Sequence, residues 1–322
     1  MKTNETPLIS VIVPVFNIED YIECCLNSLQ EQTMKDIEII VIDDGSTDSS
    51  GKICDKFAEE DPRFKIIHKD NEGLSAARND GLDISKGKYI MFVDGDDWVE
   101  PKFCETPYNV AEETDSEIVI FGWANHNNDD QKTLRWFSNI QFRGFTEKRD
   151  LFAKRYDSIS VVVWNKMYNR ELFDDIRFPI GRFSEDNAVT HKLIHNAYSI
   201  FLLNEVLYHN QGFRPNSIIT ERSKKLLIDQ AHFIFLRRLD LFKWGYIEIE
   251  RVADAAISYL VRIGRNSEFS DLCDCIIRKS SSLTNNSIAQ KKKIMIIIYK
   301  ISPLLFDLIC DTFGERVHDF PS

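Results

Sequence analysis

Positive charge is in short supply: 40 Lys and Arg face 51 Asp and Glu, a net charge of −11 over 322 residues. Nonspecific nucleic-acid binding needs a basic footprint that neutralises phosphates, so duplex DNA is excluded as a natural partner. The seven cysteines are odd in number and follow no paired spacing, which argues against both a disulfide framework and a zinc ribbon and suits reduced thiols in a cytosol. No charged start, long apolar stretch and small-residue cleavage site open the chain, so no signal peptide is expected. Long apolar runs are absent too. The strongest, 294–310, is broken by Lys300, Pro303 and Asp307, well short of the roughly 18 clean residues of a spanning helix. What remains is an ordinary globular composition, 43% apolar, with length for about two domains.

Charge is unevenly spread, −12 over residues 1–105, −2 over 106–219 and +3 over 220–322, and we divide the chain into three regions at those boundaries. In the first, β-branched apolar runs at Ile9 to Val15, Ile37 to Ile42, Phe64 to Ile67 and Tyr89 to Val93 alternate with helix-like stretches. This βαβ rhythm predicts a parallel sheet covered on both faces. Asn17 precedes one helical period and the Ser46, Thr47, Asp48 cluster another, as start signals.

Each run ends in polar residues: Phe16-Asn17-Ile18-Glu19, Asp43-Asp44-Gly45-Ser46-Thr47-Asp48, His68 to Gly73, and Asp94-Gly95-Asp96-Asp97. The carboxyl ends of parallel strands converge on one crevice, where ligands bind. So many carboxylates repel one another unless a cation or hydrogen-bond donors compensate, and a divalent metal is the economical choice. Neither G-x-G-x-x-G nor G-x-x-x-x-G-K-[ST] is present. A calcium loop fails because Trp98 and Val99 occupy positions where a ligand and a glycine belong. An Asp-x-Asp at a strand end suits one hard cation, Mg²⁺ or Mn²⁺, that also holds phosphate oxygens.

The ordered set VIVPVFN, DDGSTD, NEGLSAARN, YIMFVDGDD and GRFSED resembles glycosyltransferase family 2, particularly the bacterial enzymes that build capsular, exopolysaccharide or wall glycans. The resemblance spans roughly residues 8–220. It implies a GT-A fold, a mostly parallel nucleotide-binding sheet flanked by helices, here followed by a helical C-terminal region. It also implies a nucleotide-diphosphate donor, usually a UDP-sugar, a glycan or lipid-linked acceptor, a Mn²⁺ or Mg²⁺ cofactor and inversion at the anomeric carbon. Residues 1–105 would then bind the nucleotide-sugar and 106–219 the acceptor.

By that resemblance Pro14, Val15 and Phe16 run beside the nucleoside with Glu19 nearby. Asp44 contacts base or ribose, and Asp43 shares that duty. Arg78 approaches the diphosphate, for which a guanidinium is apt. Asp94 and Gly95 sit by the ribose or metal, and Asp96 is the principal metal ligand. Asp97 is ambiguous in register. Asp186 is the catalytic base, oriented by Glu185; it lies far from Asp94 in sequence, as a base acting across the sugar from the leaving group must. Trp164, Lys166 and Arg182 are assigned to the acceptor side and His209 is a second candidate metal ligand. Each has a plainer alternative. Asp43, Asp44 and Asp48 make Asx turns and caps, Arg78 pairs with a surface carboxylate, Asp186 caps a helix after Ser184, Trp164 is core, His209 is a satisfied structural histidine, and Gly73, Gly81 and Gly87 mark turns.

In the middle region Ile118 to Trp123 and Val161 to Tyr168 look like strands, and Thr146 starts a helix. Beyond residue 220 helical periods run through Leu226, Ile228, His232, Phe235, Leu239 and Phe242, then from Val252 to Ile263. Lys291, Lys292 and Lys293 precede the apolar run, which suits a peripheral anchor on the inner face of a membrane, or else a lid or homo-oligomer interface. Two functional rivals stand beside the transferase. A sugar-nucleotide pyrophosphorylase needs a Gly-rich loop with Arg and Lys after the first strand, where PVFNIED offers none, and a non-catalytic binding module needs Asp96 or Asp186 to be dispensable.

Overall fold

The structure, a computed structural model, describes residues 6–126, 135–136, 143–152, 161–212 and 224–263. The chain divides into two compact units, Met1–Glu221 and Arg222–Ser322.

The first unit is built on one sheet. Strand β1 (Ile9–Val15) pairs in parallel with β2 (Ile37–Asp43) on one side and β4 (Tyr89–Phe92) on the other, and β3 (Phe64–His68) extends β2. Every residue of β1, β2 and β4 is buried, as strands covered on both faces require. The chain winds outward from β1 through β2 to β3 and then returns to β1's other edge as β4. That reversal makes the crevice where an open sheet takes its ligand. Helices α1 (Ile22–Gln30), α2 (Ser50–Glu60) and α3 (Leu74–Ile84) make the crossovers. In α1 the buried set Ile22, Cys25, Leu26 and Leu29 falls on one helical stripe.

Beyond β4 the sheet continues through β9 (Lys166–Asn169), β6 (Ile118–Asn125), β10 (Ile200–Asn210) and β5 (Trp98–Val99). Two short strands, β7 (Arg135–Trp136) on β6 and β8 (Gly144–Phe145) on β10, lie off this path. Strands β6 and β10 are parallel, but β9 runs antiparallel to both β4 and β6. The β9 strand is also shorter than its sequence run: it starts at Lys166, and Val161 to Asn165 is a turn. Side chains satisfy the backbone of that turn instead of a ladder, with Lys166 Nζ donating to Val162 O at 2.5 Å and Tyr168 Oη to Val163 O at 3.1 Å. Helices α4 (Glu105–Thr114), α5 (Lys148–Phe152) and α6 (Asp186–Asn196) complete the unit.

The second unit contributes two described helices, Lys224–Lys243 and Ile249–Ile263. Phe235 and Tyr259 meet ring to ring at 5.3 Å between them, and Arg238 Nη1 donates to Arg251 O at 3.1 Å. Gly245, at φ 76°, ends the first by letting Tyr246 N reach Leu241 O. The basic cluster 291–293 and the apolar run 294–310 lie outside the described residues, among which no helix is long and apolar enough to cross a membrane.

Two sequence expectations change here. Asn17 does not cap α1, whose N-cap residue is Tyr21; Asn17 adopts φ 49° and its Oδ1 accepts Thr47 N at 2.8 Å, tying the β1 loop to the β2 loop. Gly81 is no turn but a mid-helix residue pressed on β1, where a Cβ would fall 2.5 Å from Ile12 Cγ2. At Gly87 a Cβ would meet the β1 backbone itself, Ser10 N at 2.5 Å and Ile9 C at 2.6 Å. Backbone cannot rotate away as a side chain can. Gly87→Ala is therefore expected to cost about 1–3 kcal/mol by forcing β1 and β4 apart, read as a lower urea midpoint.

Candidate functional site

The loops after the parallel strands are stitched into one rim. Asp44 N donates to Val15 O at 2.9 Å, and the buried Asp44 carboxylate accepts Glu72 N at 3.0 Å and Gly73 N at 2.7 Å. Asp48 Oδ1 accepts Ser50 N at 2.9 Å at the start of α2, while its Oδ2 accepts Glu19 N at 3.1 Å and Glu19 Oε2 accepts Ser49 N at 2.8 Å. Thus Asp44 and Asp48 do the turn-holding work of their plainer readings, Glu19 joins them, and the Asp44 carboxylate has further lone pairs. Pro14 and Val15 are buried, whereas the Phe16 ring is 46% exposed and offers the accessible face among the three.

At the β4 tip successive acids take opposite environments. Asp97 is buried: its Oδ2 accepts Tyr208 Oη at 2.5 Å and its Oδ1 accepts Gln211 N at 2.8 Å. Burial, then the nearby Asp96 and Asp94 charges, push its pKa well up. Asp97 braces the end of β10, while Asp94 and Asp96 are only half-buried. Gly95 allows this turn to seat on β1, since a Cβ would lie 2.6 Å from Ile18 Cδ1 and 3.0 Å from Pro14 O.

Below Asp94 lies Arg78, 1% exposed. Its Nη2 donates to Asp94 Oδ1 at 2.8 Å, and its Nη1 donates to Glu185 Oε1 at 2.5 Å and Asp186 Oδ1 at 3.0 Å. Burial opposes the guanidinium charge, but Asp94, Asp186 and Glu185 outweigh it and raise its pKa further. Phe178 faces the guanidinium at 5.4 Å, and the neighbouring Asn79 clamps Phe178 through paired amide bonds of 2.9 Å each. Consecutive residues of α3 therefore grip the segment that delivers the acid pair.

Glu185 is the N-cap of α6 and Asp186 its first residue, following Ser184 at φ 57°. Asp186 does not cap the helix; its Oδ2 accepts Val163 N at 3.2 Å and its other oxygen faces Arg78. Burial pushes its pKa up to about 7 against the pull of Arg78, helped by Glu185 and Asp94. Burial also raises Asp94. A carboxyl near neutrality beside a cleft is suited to accepting a proton.

The acceptor-side candidates differ in their surroundings. Lys166 is wholly buried, its ammonium bonded to Val162 O and Asn165 Oδ1 at 2.5 Å each, so it supports the 162–166 turn and is not exposed to a ligand. Trp164 is 8% exposed and stacks on Tyr208 at 4.4 Å, fixing the hydroxyl that receives Asp94 N and donates to Asp97. Arg182 is half-buried on the loop leading to the acid pair. His209 is not turned to Asp94 or Asp96: its Nε2 meets Glu100 Oε1 at 2.7 Å, its Nδ1 meets His126 Nε2 at 3.0 Å, and its ring stacks on Trp98. These contacts are those of the plainer, structural reading of His209. Sequence reasoning gave no role to Tyr208, Phe178, Asn79 or the Val163 amide; Asn79, next to Arg78, lay inside a motif.

Among the described residues no three His, Cys, Asp or Glu side chains gather as a metal-ligand set. The hard oxygens of Asp94 and Asp96 stand at the tip, with Asp94 Oδ1 engaged by Arg78.

Residues 10–177 match the family model described as Glycosyl transferase family 2. The chain belongs to that family. Among relatives of the family-2 chain, the glycosyltransferase GlyA of Streptococcus pneumoniae is 38% identical over 211 residues, 62% of this chain but 30% of GlyA. The putative glycosyltransferase EpsH of Bacillus subtilis is 37% identical over 228 residues, 69% of this chain and 65% of EpsH. The family-2 chain thus spans less than two thirds of either relative. Cholesterol galactosyltransferase of Borreliella burgdorferi is 28% identical over 340 residues, covering 92% of this chain and 94% of its own. In structure, S. aureus TarS 1–349, solved with UDP-GlcNAc, superposes with a TM-score of 0.70 at 19% identity, over 96% of this chain and 91% of TarS 1–349. The fold is GT-A.

Removing Arg78 leaves buried carboxylates without their counter-charge. Arg78→Met is expected to cost about 3–5 kcal/mol in chemical denaturation near neutral pH. Because protonation relieves the uncompensated acids, that deficit should be smaller at about pH 5 than at about pH 8.

Proposed function

We propose that this chain is an inverting, metal-dependent glycosyltransferase that moves a sugar from a nucleotide-diphosphate donor, a UDP-sugar, to a hydroxyl of a glycan or lipid-linked acceptor in bacterial surface polysaccharide synthesis. The observation that carries the proposal is Arg78 bound at once to Asp94, on the strand tip that faces a donor, and to Glu185 and Asp186. One buried cation ties a leaving-group side to a base side, as transfer between two substrates requires. UDP-GlcNAc in the TarS crystal and GDP-Man with Mn²⁺ in the mannosyltransferase PcManGT support the donor class.

In this reading Phe16 and the Asp43–Asp44 turn receive the nucleoside. Asp186 takes the proton of the acceptor hydroxyl as its oxygen bonds to the anomeric carbon, while the bond to the diphosphate breaks and the diphosphate leaves with the electron pair. Glu185 and Arg78 hold Asp186 in place, and Val163 N orients its second oxygen. Two half-buried carboxylates fit a hard cation whose coordination substrate phosphates complete, so Asp96 and Asp94 would hold Mg²⁺ or Mn²⁺. Such an ion supplies neutralisation of charge at the departing diphosphate. Residues 1–105 serve the donor, 106–219 the acceptor, and 220–322 holds the chain at the inner face of the membrane or against a second copy.

The deciding experiment incubates the protein, with Mn²⁺ or Mg²⁺, in one arm with a panel of UDP-sugars and in another with UTP and sugar 1-phosphates. Slow UDP release supports transfer; pyrophosphate made from UTP, or no turnover at all, overturns it. Asp186→Asn should lower kcat by about 10²–10⁴ while donor binding survives. Because the base works unprotonated, kcat at saturating donor should climb as pH rises through about 7 and level above it. For the membrane, replacing Lys291, Lys292 and Lys293 by glutamate should abolish flotation with anionic vesicles, each basic group being worth about 1 kcal/mol at such a surface.

A further inference from the structure

His68 closes β3 beside the end of β2, where it is the register partner of Asp43. Its Nδ1 lies 2.7 Å from Asp43 Oδ2 and its Nε2 lies 3.0 Å from Asp55 Oδ1 on α2. An ionised carboxylate only accepts, and a neutral imidazole has one N–H, so the two contacts together require both ring nitrogens to donate. The arrangement has been given room. Gly51 lies over it, and a Cβ there would fall 2.7 Å from Asp43 Oδ2 and 3.3 Å from His68 Cε1. The other Asp43 oxygen accepts Ser46 N at 3.0 Å and Asp43 O accepts Lys69 N at 3.0 Å, so the same carboxylate holds the 43–46 turn from within. Asp44, whose backbone continues that turn, ties it onward to β1 and to the start of α3.

We propose that His68 is a positioning residue for the nucleoside end of the donor pocket: as an imidazolium held between Asp43 and Asp55 it fixes the 43–48 turn, and nucleotide affinity falls when the ring loses its proton. This rests on the donor reading given above. The charged groups against the ring are Asp43 from β2 and Asp55 from α2, and the same two acids act on the Cys54 thiol; Lys69, next in the chain, is engaged by Glu72 and Asp80. Asp43, then Asp55, raise the imidazole pKa above its ordinary value. The clamp is therefore complete below about pH 6.5 and is lost as pH climbs through the raised value.

The test is UDP binding by calorimetry with Mg²⁺ present across about pH 6 to 9 in wild type, His68→Gln and Asp44→Ala, with GDP as a second probe. Glutamine keeps one donor and never charges. At low pH His68→Gln should bind UDP about threefold to tenfold more weakly than wild type, the size of one charge-assisted hydrogen bond. The ratio should shrink toward one at high pH. Taking the ratio cancels the titration of the nucleotide phosphate, and a purely structural loss would leave it constant with pH. A ratio of one throughout, or a constant deficit, overturns the role of His68 while Asp44→Ala still reports a nucleotide pocket. Absence of UDP and GDP binding in wild type overturns the donor reading itself, and this inference with it.

Discussion

A guanidinium carries one positive charge, and Arg78 divides it among Asp94, Glu185 and Asp186. The rest of the cleft follows from that division. Three carboxylates around one cation leave a surplus of negative charge in a poorly solvated place, which must be met by protons or by another cation. Part of the answer is visible in Asp186, which burial holds half-protonated near neutrality. Neutralisation by a proton is cheap to reverse, and a group poised to exchange one is what a general base has to be.

The guanidinium can do this only because its surroundings are rigid. Phe178 closes one side, and Asn79 pins the backbone of Phe178 from the same turn of helix that carries Arg78. Gly81, one turn farther along α3, lets that helix lie against Ile12 of β1. Hence the distance from β1 to the acid pair is set by packing within one helix. A charge network held this way keeps its geometry when its protonation changes, which a surface ion pair does not.

The front of the fold was legible because parallel strands buried on both faces write continuous β-branched runs, and β1 to β4 lie where those runs predicted. The family motifs also contain Arg78, Asp94 and Asp186, which the fold brings into contact. What escaped was register and partnership. Nothing local distinguishes Val161–Val163 as a turn from a strand; the difference lies in Lys166, Tyr168 and Asp186, which take its backbone groups by tertiary contact. Asn17 reads as a cap in isolation, but the nearest acceptor-hungry amides belong to Thr47 and Asp48 across the loop. The partners of His209, Glu100 and His126, likewise come from tertiary contact, and Lys166 turns back on Val162 O and Asn165.

On the proposed function, charge also explains why a cation should arrive with the substrate and not before it. Asp97 is withdrawn into the fold and held by Tyr208, Asn210 and Gln211, so the DGDD tip presents Asp94 and Asp96 alone. Two carboxylates, one already sharing an oxygen with Arg78, are too few to strip a hard ion of its water, whereas phosphate oxygens would supply the remaining ligands. A diphosphate, in turn, is repelled from this acidic tip unless a cation lies between. Each partner thus creates the site of the other, so metal and nucleotide should bind with positive coupling, and by reciprocity each tightens the other by the same factor.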